Sequence, residues 1–243
     1  MNVSLYDVRH ALVELGRLRF GEMRVEDAIR EIVHTTHSMF HVDGAGLMLA
    51  DATQQLRSVA ASDARFGHLE ELQIKHQEGP CIEAFDTKQL VGVEDLADDR
   101  RWPLFSDAAL ARNVRAVLAS PIPYNQYAVG VVAVLSEQSR PWSPEGELAL
   151  LAFTDLAALL IASMMIGEEQ SEITAQLQGA LNSRQIIEQA KGVLMGTRGI
   201  SARDAYEQLR AQARSERRRL AAVCAEVVEH ASRPANRGEI PAS

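Results

Sequence analysis

Lys191 and Arg184 stand seven residues apart in a stretch of helical periodicity, so one helix face carries both, about two turns apart. They interrupt an apolar row made by Leu177, Ala180, Ile187 and Leu194. Two unpaired cations in a core are costly, so this face is expected to open to solvent or to phosphate; snorkelling at an ordinary surface is the alternative. Gly192 removes a side chain beside Lys191, which lets a nucleotide backbone or another helix approach closely. Arg198 follows in a turn and Arg203 in the first turn of the next helix, where the two are expected to converge. A cation at a helix start opposes the macrodipole, which leans towards a choice made for a partner. Tyr206 offers a flat ring, suited either to stacking on an unpaired base or to filling a core. Attraction of phosphate is one chemistry this set could perform; a solvated or packed helix surface is the other.

Other reactive residue types form weaker patterns. His34, His37 and His41 are spaced to share a helix face, but only Asp43 lies near enough in sequence to extend the set, so no metal site is expected. Cys81 and Cys224 match no metal or disulfide framework, and the thiols are expected to be reduced. Cys81 sits between Glu78 and Glu83 with no adjacent cation to activate it, so a buried structural thiol is expected. Trp102 and Pro103 are expected to pin a loop over a sheet. The chain has no phosphate-binding glycine loop of the Walker type, no Gly-x-Ser-x-Gly elbow and no His-Glu-x-x-His pair. It also lacks an early paired-acid cluster of the phosphoacceptor kind. No enzymatic activity and no cofactor are expected.

The elements that must position these residues fall into two parts. The 243 residues carry 25 Lys and Arg against 33 Asp and Glu, net −8. Residues 171–243 hold 11 basic and 8 acidic side chains, leaving 14 against 25 for residues 1–170. An acidic front and a mildly basic end suggest two modules, with any polyanion at the second. Helical spacing predicts a helix over 5–41, and β-like runs follow at Ala45–Ala50, Leu56–Ala61, Leu90–Val93, Val114–Ser120 and Val129–Leu135. A helix from about Glu145 to Ile166 completes an α+β domain with an antiparallel sheet and helices on one face. The pattern continues past Gly167, where Ile166, Ile173 and Leu177 form a narrow stripe suited to a coiled-coil seam in a homodimer, or to a solvated linker. Gly196 to Gly199 is expected to break that helix, and Ser201 with Asp204 reads as a capping box for the next. Ala205, Leu209 and Ala213 give the second helix its apolar face; Leu220, Val223, Cys224, Val227 and Val228 point a third inward.

The run Ala180-Leu181-Asn182-Ser183-Arg184-Gln185-Ile186-Ile187-Glu188-Gln189-Ala190-Lys191-Gly192-Val193-Leu194-Met195 resembles the signature of the ANTAR domain. So do Gly199-Ile200-Ser201, Ala205-Tyr206, Leu209-Arg210 and Ala213-Arg214, and the likeness spans Ala175 to His230. The resemblance implies a bacterial RNA-binding transcription antiterminator. As a dimer it would grip paired stem-loops of a nascent transcript, stabilising a structure that competes with a terminator. Carried over residue by residue, the RNA-binding set is Arg184, Ala190, Lys191, Gly192, Arg198, Ser201, Arg203, Tyr206 and Arg210. Arg217 departs from the pattern, which commonly has Asn there, although Arg217-Arg218-Arg219 adds positive charge. Residues 20–166 resemble a GAF sensor domain through Glu78-Gly79-Pro80-Cys81, Arg101-Trp102-Pro103 and Val114-Arg115-Ala116-Val117-Leu118-Ala119-Ser120-Pro121. No Asn-Lys-x-x-x-Phe-Asp-Glu run of cyclic-nucleotide GAF domains is present. The resemblances imply a helical lead-in over 1–20, a GAF-like sensor over 21–166 and a linking coiled-coil helix over 167–179. A small three-helix ANTAR-like domain over 180–231 and a flexible tail over 232–243 follow. The partners expected are RNA stem-loops, a small-molecule or other signal, and a second copy; the compartment is the cytoplasm, with no membrane. A DNA-binding regulator reading bases through 199–214, or a signalling module that only dimerises, are the alternatives.

Overall fold

The computed structural model describes residues 6, 8–10, 13, 23–125, 127–166, 172–216 and 218–232, without the side chains of 163–166, 172, 174 and 177. It divides into two compact units, one of Met1–Asp51 with Gln55–Gln178 and one of Ala52–Gln54 with Gly179–Ser243.

In the first unit α1 runs from Val25 to Phe40 and buries Ala28, Ile29, Ile32, Val33, Met39 and Phe40. The single helix expected over 5–41 is corrected here. Arg24 is extended (φ −71°, ψ 149°), and Asp27 in the first turn receives Arg24 at 3.0 Å and Arg30 at 2.6 Å. Acidic residues at this point fix a helix start, because a carboxylate complements the positive end of the dipole.

Five strands form one antiparallel sheet in the order β2-β1-β5-β4-β3: β1 Gly44–Ala50, β2 Leu56–Ala61, β3 Val91–Val93, β4 Ala116–Tyr124 and β5 Tyr127–Ser136. Strand β1 is buried at every position and β5 at all but its first. Such unbroken burial requires cover on both faces of the sheet. That corrects the expectation of helices on one face: α1 and α5 (Pro144–Ile166) form one group, and α2 (Ala64–His76), α3 (Pro80–Thr87) and α4 (Pro103–Leu110) another. The sheet's apolar runs do not alternate, and that absence of alternation was the available signal. Strands β4 and β5 are longer than predicted. Strand β4 continues through Pro121 and Pro123 because β3 pairs it only at Val117–Ala119, leaving an edge beyond on which prolines are tolerated.

Helices α2, α3 and α4 were not predicted. Asp63 caps α2, accepting from the N–H groups of Arg65 (2.7 Å) and Phe66 (3.2 Å). Pro80 and Pro103 occupy the first turns of α3 and α4, where the missing N–H has no helical partner to lose. Helix α2 places Phe66, Glu70 and Gln73 where glycine leaves space. A Cβ added at Gly44 would collide with the Phe66 ring, one at Gly46 with the Glu70 carboxyl, and one at Gly79 with Gln73. Two of these three plugs are polar, which is why the apolar periodicity of α2 is weak in the sequence.

Candidate nucleic-acid interface

The second unit is built on α6 (Glu172–Arg198) from Gly179 onward, α7 (Ala202–Glu216) and α8 (Leu220–Ser232). Ile187, Ala190 and Leu194 of α6 pack with Ala205, Leu209 and Ala213 of α7 and with Val223 and Cys224 of α8, all buried. Ile186, Ile200, Tyr206, Leu220, Val227 and Val228 close the edges of that core. Helix α6 runs through Gly196 and ends only at Gly199, whose φ of 66° and N–H bond to the Met195 carbonyl (3.0 Å) make the left-handed stop. The break expected over Gly196 to Gly199 falls at its second glycine, since a glycine inside a helix weakens it without ending it.

The hydroxyl of Ser201 accepts from the Asp204 N–H at 3.1 Å and donates to the Asp204 carboxylate at 2.7 Å. This is the predicted capping arrangement, with an aspartate in the acidic position. Replacing Ser201 by alanine is expected to cost about 1 kcal/mol at the start of α7, read as faster amide hydrogen exchange over residues 202–206. Arg218 bridges Glu216 at the end of α7 and Glu226 on α8, and its N–H binds the Ala213 carbonyl. One member of the arginine triplet is thus a brace between helices, while Arg217 lies outside the described residues.

The predicted site residues separate into groups. Ala190 is 0% exposed and belongs to the core, so it offers no surface and is withdrawn from the contact set. The Ser201 hydroxyl is occupied by the cap. Tyr206 packs its ring at the edge of the core and is half-buried. Arg198 is exposed and donates to the Gln208 side chain at 2.8 Å. Gln208 lies about 140° round α7 from Arg203, so Arg198 is held away from Arg203 and the expected convergence is corrected. Arg203 and Arg210 are exposed, seven residues apart on one stripe, with Tyr206 between them. Neither has an ion pair among the described residues.

Arg184 and Lys191 share a face as expected, but they are not unpaired. Their side chains are 22% and 17% exposed, and Glu188 lies between them. Its carboxylate accepts from the Lys191 ammonium at 2.7 and 2.9 Å and stands 3.6 Å from the Arg184 Nε. Charge compensation, rather than exposure alone, makes this largely buried position tolerable. Glu188 was missed, although an acid four residues after one cation and three before another is a readable helix-surface pair. Gly192 adjoins this triad, and apart from its chain neighbours and its own helix backbone no described atom comes within 4 Å of the position its Cβ would take. Within the described chain it serves no helix contact.

The first unit's motifs are structural. Glu78 accepts from the Phe105 N–H at 2.9 Å, capping α4, and Gly79 takes a φ of 128° that only glycine adopts freely. The Cys81 N–H donates to the Gln73 side chain at 2.8 Å, and burial pushes its thiol up to about 12, with the Glu70 charge adding. The expectation of a buried structural cysteine holds. Arg101 binds Asp99 at 2.7 Å and Glu83 at 3.1 Å and covers the Trp102 ring at 4.1 Å. Trp102 is buried, pinning its loop as expected. His41 leaves α1 at a left-handed C-cap (φ 47°), so the three histidines do not continue one helical face. Among the described residues no cluster of His, Cys, Asp and Glu is arranged to hold a metal. His34 and His37 line a groove of about 500 Å³ with Arg30, Asp43 and Asp63.

Both units have counterparts among known proteins. Residues 24–161 match the family model of the GAF domain and residues 175–228 that of the ANTAR domain. The chain belongs to the GAF domain family and carries an ANTAR domain after it. Its fold is similar to the GAF domain of a phosphoenolpyruvate-protein phosphotransferase from Acinetobacter (19% identity, 67% of this chain and 95% of that one, TM-score 0.52). It is also similar to free methionine-R-sulfoxide reductase from Neisseria meningitidis, solved with its substrate (15% identity, 66% and 92%, TM-score 0.52). At this identity the likeness establishes the fold alone. No curated protein matches the chain. Among the described residues no helix is long and apolar enough to cross a membrane.

Proposed function

We propose that the chain is a signal-responsive, RNA-binding regulator of transcription antitermination. It acts in the cytoplasm by binding, not by catalysis, and the signal, a small molecule or another input, is received by the GAF domain. Two copies pair and present two ANTAR domains to adjacent stem-loops of a nascent transcript. Joining two weak grips raises the local concentration for the second hairpin, which suits a domain of few cations.

The observation that carries this reading is the pair Arg203 and Arg210, exposed and without an ion pair among the described residues, flanking Tyr206 on α7. Cations free of internal partners supply the phosphate attraction, and a half-exposed ring beside them suits a loop base. The proposed contact set is Arg184, Lys191, Gly192, Arg198, Arg203, Tyr206 and Arg210. The deciding experiment is competition between a double-hairpin RNA and duplex DNA for the full chain. RNA is expected to win, with log affinity falling against log salt at a slope of roughly −2 per unit for about three neutralised phosphates. A preference for duplex DNA, or binding indifferent to salt, overturns the assignment.

A further inference from the structure

We propose that Glu188 is a built-in phosphate surrogate, which holds Arg184 and Lys191 until a correctly shaped RNA displaces it. The inference rests on the RNA-binding reading above and adds a device for selectivity to it. Its basis is the contrast between the two helices. On α7, Arg203 and Arg210 stand in solvent with no ion pair among the described residues and attract any polyanion. On α6, Arg184 and Lys191 are about four-fifths buried, and Glu188, itself 28% exposed, is within 4 Å of both. The Lys191 ammonium already has both carboxylate oxygens at hydrogen-bond distance.

A carboxylate resembles a phosphodiester in charge and in offering two acceptor oxygens. A passing polyanion therefore meets two cations already paired with a carboxylate, Lys191 through two hydrogen bonds and Arg184 through an ion contact at 3.6 Å, and a negative charge between them. To use them it must offer phosphates placed well enough to replace the carboxylate, and it must reach below the surface to do so. Gly192 leaves open the space beside Lys191 through which a backbone reaches that depth. Selectivity of this kind is a penalty imposed on the wrong partner, with the cognate ligand alone able to offset it. Arginines of α7 attract, and the α6 triad discriminates.

The test uses the full chain with two probes, a double-hairpin RNA and a loop-free RNA duplex of equal length. Glu188→Gln keeps the side-chain length and removes the charge. It is expected to tighten duplex binding about tenfold and hairpin binding about threefold. The salt slope for the duplex should steepen by about 0.7–0.9 for each phosphate newly engaged. In the complementary variant, Lys191→Gln, hairpin affinity is expected to fall about tenfold with duplex affinity unchanged, because the wild-type triad does not engage the duplex. Thermal melting verifies that each variant folds, and Lys191→Gln carries the test if Glu188→Gln does not. Unchanged or weaker binding of both probes by Glu188→Gln overturns the proposal, as does an equal loss on both probes with Lys191→Gln. Failure of the wild type to bind either RNA removes the RNA reading itself, and this inference with it.

Discussion

A chain with Arg203→Ala and Arg210→Ala together is expected to bind double-hairpin RNA about 30- to 100-fold more weakly than wild type. Each guanidinium is taken to contribute roughly 1 to 1.4 kcal/mol through a charge-assisted phosphate contact, and tenfold in affinity corresponds to about 1.4 kcal/mol. Both side chains are exposed and outside the core of the second unit, so the melting temperature should stay within about a degree or two. The salt dependence should flatten at the same time. Losing two phosphate contacts removes about 1.4 to 1.8 from the magnitude of the slope. The paired measurement matters because a general disturbance of the domain lowers affinity without this particular loss of salt sensitivity. A reduction below about threefold would place the RNA elsewhere on the domain.

Stability of the GAF domain is expected to fall as pH rises from about 4.5 to about 8, because of Glu70. That carboxyl is 4% exposed; it accepts from the Ser58 hydroxyl, and its Oε1 has no hydrogen-bond partner among the described residues. Burial pushes it up to about 8 and the nearby Glu71 charge adds, while the Ser58 bond holds it down. The folded state therefore keeps a proton that the unfolded chain releases near its ordinary value of 4.5. Below that value both states hold the proton and the stabilising contribution is complete. Between the two values the unfolded state binds fewer protons, so stability declines by about 1.4 kcal/mol per pH unit, up to about 4 to 5 kcal/mol. Above about 8 both forms are ionised and the loss is complete.

Glu70→Gln removes the titration and should flatten this dependence, leaving the variant more stable than wild type at about pH 9 and similar at about pH 5. Denaturation followed by tryptophan fluorescence isolates the effect. The chain has two tryptophans, Trp102 and Trp142, both buried in the first unit. Parallel pH profiles for the two proteins would exclude Glu70 as the source.

Much of both domains was legible in the order of residues alone. The strands announced themselves because Ala45–Ala50 and Val129–Leu135 are apolar runs bounded by turn formers. The core of the second unit was readable from Ala205, Leu209 and Ala213, whose four-residue spacing leaves a helix little choice about which side faces inward. Ser201 and Asp204 marked the start of α7 for an equally local reason, since a cap is a contact between residues three apart.

Helix α2 was hidden because two of its inward residues, Glu70 and Gln73, are polar. They are buried beside Gly46 and Gly79, outside the helix itself, so no period within α2 records the fit. The candidate site divides along the same line. Residue types and helical spacing determined by themselves that Arg184, Lys191, Arg203 and Arg210 are available cations on two helices. The pairing of Glu188 with the first two is a contact within one helix; only the tertiary structure decided how deeply that triad is buried, that Gln208 takes Arg198, and that α7 carries Arg203 and Arg210 into solvent. Spacing along one helix settles which side chains share a face. How deeply that face is buried, and which partners remain, depends on the neighbouring helices that exclude water from it.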